Sequence, residues 1–191
     1  VIGVIKSAEH EGKMTVRLHT GDPSLYGAIR EQMDRLDELG IKYDICPGVS
    51  SFCGAAAALR AEYTLPDVSQ TVIITRMAGR TPVPEKESIA ALAAHNATMV
   101  IFLSTGLLKD LSAELIRGGY KPDTPAAIVY KASWADQKVC RCTVEDLAQT
   151  AADNGITKTA LICVGYFLGN DYSLSKLYDK SFETEFRKAE I

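Results

Sequence analysis

Apolar positions along this 191-residue chain fall into short unbroken runs, with stretches of helical period between them. Val1, Ile2, Ile5 and Ala8 recur at helical spacing and Gly12 follows as a stop, which predicts that the chain opens inside a helix over residues 1–12. Residues 15–19 read as a strand and 24–39 as an amphipathic helix ending at Gly40. Residues 41–46 (IKYDIC) read as a second strand, and 52–61 as an Ala-rich helix. This β-α-β-α order predicts a parallel α/β unit.

A connector, Ala61 to Asp67, precedes a second start. TVIIT (71–75) predicts a strand, and TPVPEKES (81–88) leads into a helix that runs to about His95. TMVIFLS (98–104) is a continuous apolar run, the mark of a central strand buried on both faces. A helix over 107–118 ends at Gly118-Gly119, and strands follow at 126–131 and 138–142. Thr143 to Asp146 predicts an N-cap and an acidic first turn for a helix reaching Asp153. TALICVG (159–165) predicts another buried strand, and 173–191 one helix with a polar tail. The expected architecture is α/β in two lobes, residues 1–66 and 67–191, with the boundary near Leu65 to Ser69. The first lobe offers only two strands, too few for a stable sheet.

Composition narrows the function classes. A hydrophobic fraction of 47% and a charged fraction of 24% suit a soluble globular protein. A net charge of −3 gives no footprint for nucleic acid or an anionic membrane. No apolar run approaches the ~20 residues of a membrane span, and Val1 to Ile5 has neither the basic lead nor the cleavage pattern of a signal peptide. The cysteines, 46, 53, 140, 142 and 163, are irregularly spaced and make a poor disulfide framework. Cys46 and Cys163 lie in apolar runs and read as small buried hydrophobes. Reduced thiols place the chain in the cytoplasm. Cys140-x-Cys142 has no second Cys or His pair at ligand spacing, so no metal site is expected.

Several strand-end turns carry candidate chemistry. Thr20-Gly21-Asp22-Pro23 lies between a strand and a helix, where open α/β sheets bind ligands. Asp22 and Pro23 equally suit a helix cap. Neither a phosphate loop nor a dinucleotide fingerprint is present. Pro47-Gly48-Val49-Ser50-Ser51 repeats the strand-turn-helix setting, with no histidine near in sequence to activate a serine. Arg76 and Arg80 flank a loop that ends in a rigid proline pair. They read either as a guanidinium pair for carboxylates or phosphates, or as solvated connector residues. Ser104-Thr105-Gly106, Tyr130 to Trp134 and Val164-Gly165-Tyr166 each close an apolar strand with small and aromatic residues. Such ends suit a flat heteroaromatic ring, and equally a tightly packed sheet edge.

In this order the turns resemble the tetrapyrrole (uroporphyrin and corrin) methyltransferases, from about Thr15 to Leu177. VRLHTGDPSLYGAIREQ and ITRMAGRTPVPEKES are similar to the branch that methylates ring carbons on the way to vitamin B12. The resemblance implies two α/β domains with S-adenosylmethionine in a cleft between them, S-adenosylhomocysteine as product, a tetrapyrrole substrate and a homodimer. It places Thr20, Gly21, Asp22 and Leu25 on the methionine part of the cofactor, with Ser50 and Ser51 lining the same cleft. Ser104, Tyr130 and Ala132 would frame adenine and ribose, and Gly165 would close the far side. Arg76 and Arg80 would meet the substrate's carboxylates. No catalytic residue is singled out. The family's opening strand and GxGPGD loop have no match, since Ile2-Gly3-Val4 is not followed by GPGD. The resemblance therefore implies that this N-terminal segment is missing and that the first lobe is short.

Overall fold

A computed structural model describes residues 1–176, 179–183 and 185–188. The chain divides into two compact units, Val1–Cys53 and Gly54–Ile191. The connector expected to separate the lobes, near Leu65 to Ser69, lies within the second.

The second unit is built on a five-stranded sheet: β1 (Val72–Arg76), β2 (Thr98–Phe102), β3 (Pro125–Tyr130), β4 (Lys138–Thr143) and β5 (Ala160–Val164). Each strand expected over residues 67–191 forms. Their order is β1-β2-β5-β3-β4. β1 and β2 are parallel, but β5 runs antiparallel to both β2 and β3, and β4 is antiparallel to β3. The sheet is thus mixed. The helices α4 (Ile89–Ala93), α5 (Leu108–Gly118) and α6 (Leu147–Asp153) carry the crossovers from β1 to β2, β2 to β3 and β4 to β5. Strands β2 and β3 point the same way, yet the last strand is inserted between them.

One sheet face, with Met99, Ile101, Ala126, Ile128, Ile162 and Val164, packs against Ile89, Leu108, Leu111, Leu115 and Leu147 of the helices. Fully burying each of these side chains larger than alanine contributes about 1.5–3 kcal/mol. Gly118 lets α5 approach α4, since a Cβ there would lie 2.4 Å from the Ala90 carbonyl oxygen. The other face buries Val100, Ala127, Val129 and Cys163. There the Tyr63 ring meets Phe167 edge-on at 5.1 Å, and Arg141 donates to the Leu59 and Leu168 carbonyls. Burial pushes the Cys163 thiol up to about 12.

Several elements start later than the pattern predicts. The helix that TPVPEKES leads into does not: it begins at Ile89, after the proline pair and a short turn at Glu85–Glu87. The helix expected from Thr143 begins at Leu147, and the Thr143 hydroxyl donates to the Asp146 carboxylate at 2.8 Å. No α-helix forms among the described residues of 173–191; Leu177, Tyr178, Thr184 and 189–191 lie outside them.

The first unit contains α1 (Ile2–His10), α2 (Arg30–Glu38) and the start of α3 (Ser51–Leu59). The strands expected at 15–19 and 41–46 do not form ladders. Two short segments cannot make a sheet alone, and Met14, Val16, Leu18 and Ile45 are exposed. Cys46, expected to be buried, is exposed for the same reason. The helix expected from 24 starts only at Arg30, because Tyr26 and Ala28 take positive φ, at 57° and 49°.

Candidate active site

In the first unit the two glycine turns meet. Asp22 was expected to cap the following helix. Instead its carboxylate accepts from the backbone N–H and hydroxyl of Ser24, at 2.8 and 2.5 Å, and from the Gly48 N–H at 2.9 Å. One side chain thereby staples two turns 26 residues apart. The Ser24 hydroxyl, then the Gly48 and Ser24 N–H groups, hold its pKa below the usual carboxylate value. Backbones touch at this junction: a Cβ on Gly48 would lie 2.7 Å from the Gly21 carbonyl oxygen, and Gly21 itself sits at φ +89°. Leu25 N–H closes the turn onto the Asp22 carbonyl at 3.3 Å. Ser50 is buried; Thr20 and Ser51 are exposed, and Leu25 is half-buried.

In the second unit the strand register aligns Arg76 with Phe102, Ile101 with Ile162, and Tyr130 with both Ala160 and Lys138. One end of the sheet therefore gathers Met77, Leu103, Ala160, Tyr130 and Lys138. Ser104 and Ala132 lie just beyond it. The buried Ser104 hydroxyl is fully engaged, donating to the Phe102 carbonyl at 2.7 Å and accepting from Met77 N–H at 2.9 Å. It locks the ends of β1 and β2 together. The Thr105 hydroxyl donates to the Ala160 carbonyl at 3.2 Å.

Gly165 is not part of this group. Because β5 is antiparallel, Val164 pairs with Met99 and Ala126, and Gly165 N–H donates to the Pro125 carbonyl. Gly165 thus stands at the opposite end of the sheet from Ser104, Tyr130 and Ala132. Arg76 turns into its own loop and donates to the Thr81 and Pro82 carbonyls, at 3.1 and 2.7 Å, while Arg80 is exposed.

Two features of this sheet end had no clear sequence signal. Leu103, Lys131, Ser133 and Thr159 all hold positive φ, between 45° and 70°. None is glycine, so each stores local strain of the sort that gathers at ligand sites. Lys131 also places its ammonium 5.0 Å from the Tyr130 ring centre and 5.1 Å from that of Trp134.

The first unit thus presents glycine turns stapled by Asp22, and the second an α/β sheet with a strained end. The chain belongs to the tetrapyrrole (corrin/porphyrin) methylase family, whose model matches residues 1–148. It is 55% identical, over 99% of its length and 73% of the relative's, to a cobalt-precorrin-4 C(11)-methyltransferase of Methanocaldococcus jannaschii. It is 46% identical, over 86% of its length and 66% of the relative's, to a precorrin-4 C(11)-methyltransferase of Mycobacterium tuberculosis. The X-ray structure of a cobalt precorrin-4 methyltransferase, a cobalamin biosynthetic enzyme, superposes with a TM-score of 0.86 at 50% identity, covering 88% of this chain and 71% of that one.

Proposed function

We propose that this chain transfers the methyl group of S-adenosylmethionine to ring carbon 11 of precorrin-4, or of its cobalt-containing form, in cobalamin biosynthesis. The observation that carries the reading is the 55% identity to a relative of that name across 99% of the chain. That span contains the HTGDP and PGVSS turns and the GRTPVPE loop.

The residues present fit the cofactor. The junction of Gly21 and Gly48 leaves no room for side chains and presents backbone polar groups beside Thr20 and Ser51. In our reading these, with Leu25 and Ser50, hold the methionine part. Tyr130 and Ala132 frame adenine and ribose, with Ser104 fixing the strand ends that carry the site. Gly165 we leave outside it. The homodimer belongs to the same proposal.

S-adenosylmethionine, when bound, supplies a methyl group already activated on a sulfonium. The chain therefore needs no nucleophile of its own. Its task is to hold the target carbon in line and at short range, which accounts for much of such a rate enhancement. Backbone carbonyl oxygens in the two turns suit the charge distribution that develops during transfer. Asp22 already accepts three hydrogen bonds, so it sets geometry and moves no proton.

Calorimetric titration with S-adenosylhomocysteine tests the reading first, followed by transfer of labelled methyl to the tetrapyrrole. Micromolar binding is expected. Binding no tighter than that of ATP overturns it in favour of a nucleotide-binding module. Arg80 is the exposed cation of the loop, so Arg80→Ala should raise the substrate KM several-fold and leave the S-adenosylhomocysteine Kd nearly unchanged. Equal losses in both would remove Arg80 from the substrate site.

A further inference from the structure

We propose that the loop between β3 and β4 is a stacking rim for the substrate, with Trp134 receiving the face of the flat macrocycle and Lys131 one of its carboxylates. This rests on the tetrapyrrole-methylating function proposed above.

Trp134, the chain's single tryptophan, is 59% exposed. Its position is nonetheless built. Trp134 N–H donates to the Lys131 carbonyl, Gln137 N–H to the Trp134 carbonyl, and Lys131 N–H to the Thr159 carbonyl. Ser133 N–H donates to the Gln137 side-chain oxygen at 2.7 Å. Lys131 and Ser133 hold φ of 45° and 70°, conformations that L-residues adopt only under constraint. A large aromatic ring left in water on a braced, strained loop is poor design for stability alone. It suits a platform for another flat ring.

The charges point the same way. The Lys131 ammonium touches both aromatic rings and pairs with Asp136 at 2.5 Å. Asp136 is exposed, and exposed pairs are weak, so a ligand carboxylate can take its place. Lys138 begins β4 opposite Tyr130, its ammonium 3.3 Å from the Asn154 carbonyl. Lys158, exposed, precedes the Thr159 that receives the Lys131 N–H. Lys131 lies against the exposed indole, and Lys138 and Lys158 stand at the same end of the sheet. With Arg76 turned into its own loop, this rim supplies cations that the substrate's carboxylates require. A neutral adenine ring would have no use for them.

The test is calorimetry on the intact chain with two separate probes, uroporphyrin III as a flat octacarboxylate and S-adenosylhomocysteine. Trp134→Ala should weaken uroporphyrin binding at least about tenfold, and Trp134→Phe should recover most of the loss. Lys131→Gln should make uroporphyrin affinity less sensitive to salt. S-adenosylhomocysteine affinity should stay within about twofold in all three variants, which also reports that they are folded. Unchanged uroporphyrin binding in Trp134→Ala overturns the rim and leaves the methyltransferase reading standing. Parallel loss of both ligands assigns the ring to the cofactor and also overturns the rim. A wild-type chain that binds S-adenosylhomocysteine but not uroporphyrin overturns the rim alone. One that binds neither overturns the function as well.

Discussion

Asp22→Ala is expected to cost the chain at least about tenfold in S-adenosylhomocysteine affinity, because it leaves the Gly48 and Ser24 N–H groups without their charged acceptor. The two turns then lose a side chain that joins them. Asp22→Asn keeps the shape but presents an NH₂ group to one of those donors, so it should fall between Ala and the wild type. Calorimetry measures the affinity, and hydrogen exchange at the Gly48 amide reports the junction directly. Acid should mimic the mutation. The folded-state pKa of Asp22 is lowered by the Ser24 hydroxyl first and by the Gly48 and Ser24 N–H groups after it. Its stabilising contribution is therefore complete above the ordinary carboxylate value of 3.8 and is lost as pH falls through the lower folded value. Binding should be flat from pH 8 to about 5 as far as this group is concerned. Loss of the junction with a midpoint near pH 6 would mean another group holds it.

Gly118→Ala should lower the stability of the second unit by about 2–3 kcal/mol. Two effects oppose each other. Replacing glycine in a helix gains at most about 1 kcal/mol in propensity, less at the last position of α5. Against this, the new methyl would lie 2.4 Å from the Ala90 carbonyl oxygen, 2.5 Å from the Ala93 Cβ and 2.8 Å from the Ala90 Cα. Two of those atoms are backbone, so α4 and α5 must move apart, and the layer containing Ile89, Ala93 and Leu115 opens with them. At roughly 2–4 °C per kcal/mol the melting temperature should drop by about 5–10 °C. Thermal unfolding followed by circular dichroism measures it. A melting temperature equal to or above the wild type would show that the helices are not in this contact. Gly119→Ala should not reproduce the clash: its Cβ would have only the Asn96 side-chain nitrogen nearby, at 3.7 Å, and its cost would come from φ +125°.

The sequence made the strands of the second unit legible because each is a continuous apolar run between turn residues. Thr98–Phe102 and Ala160–Val164 lie within residues of where the pattern puts them. Strand direction and neighbour were not legible. Nothing in TALICVG says that it enters between β2 and β3 upside down, and that one fact puts Gly165 at the opposite end of the sheet from Tyr130 and Ala132. In the first unit the pattern at 15–19 is strand-like, but a strand needs a partner and the unit supplies none. Asp22 looked like a local cap because caps are read over three or four residues; its partner Gly48 is 26 positions away. Arg76 illustrates the same limit. Its acceptors are carbonyls of Thr81 and Pro82, groups that every residue carries and no side-chain pattern marks. The positive φ of Leu103 and Thr159 had no warning at all, since these residue types ordinarily avoid it.

The insertion of β5 also sets a timetable for synthesis. As the chain emerges from the ribosome, β2 and β3 are complete long before residues 160–164 appear. In the finished sheet they are not neighbours, because β5 lies between them. Until then two apolar strands present open edges, the condition under which nascent chains stick to one another or to a chaperone. Premature termination anywhere before Ala160 would leave a sheet with no centre, and closing it in the intact chain depends on contacts between residues more than 60 positions apart. Such long-range closure is slow.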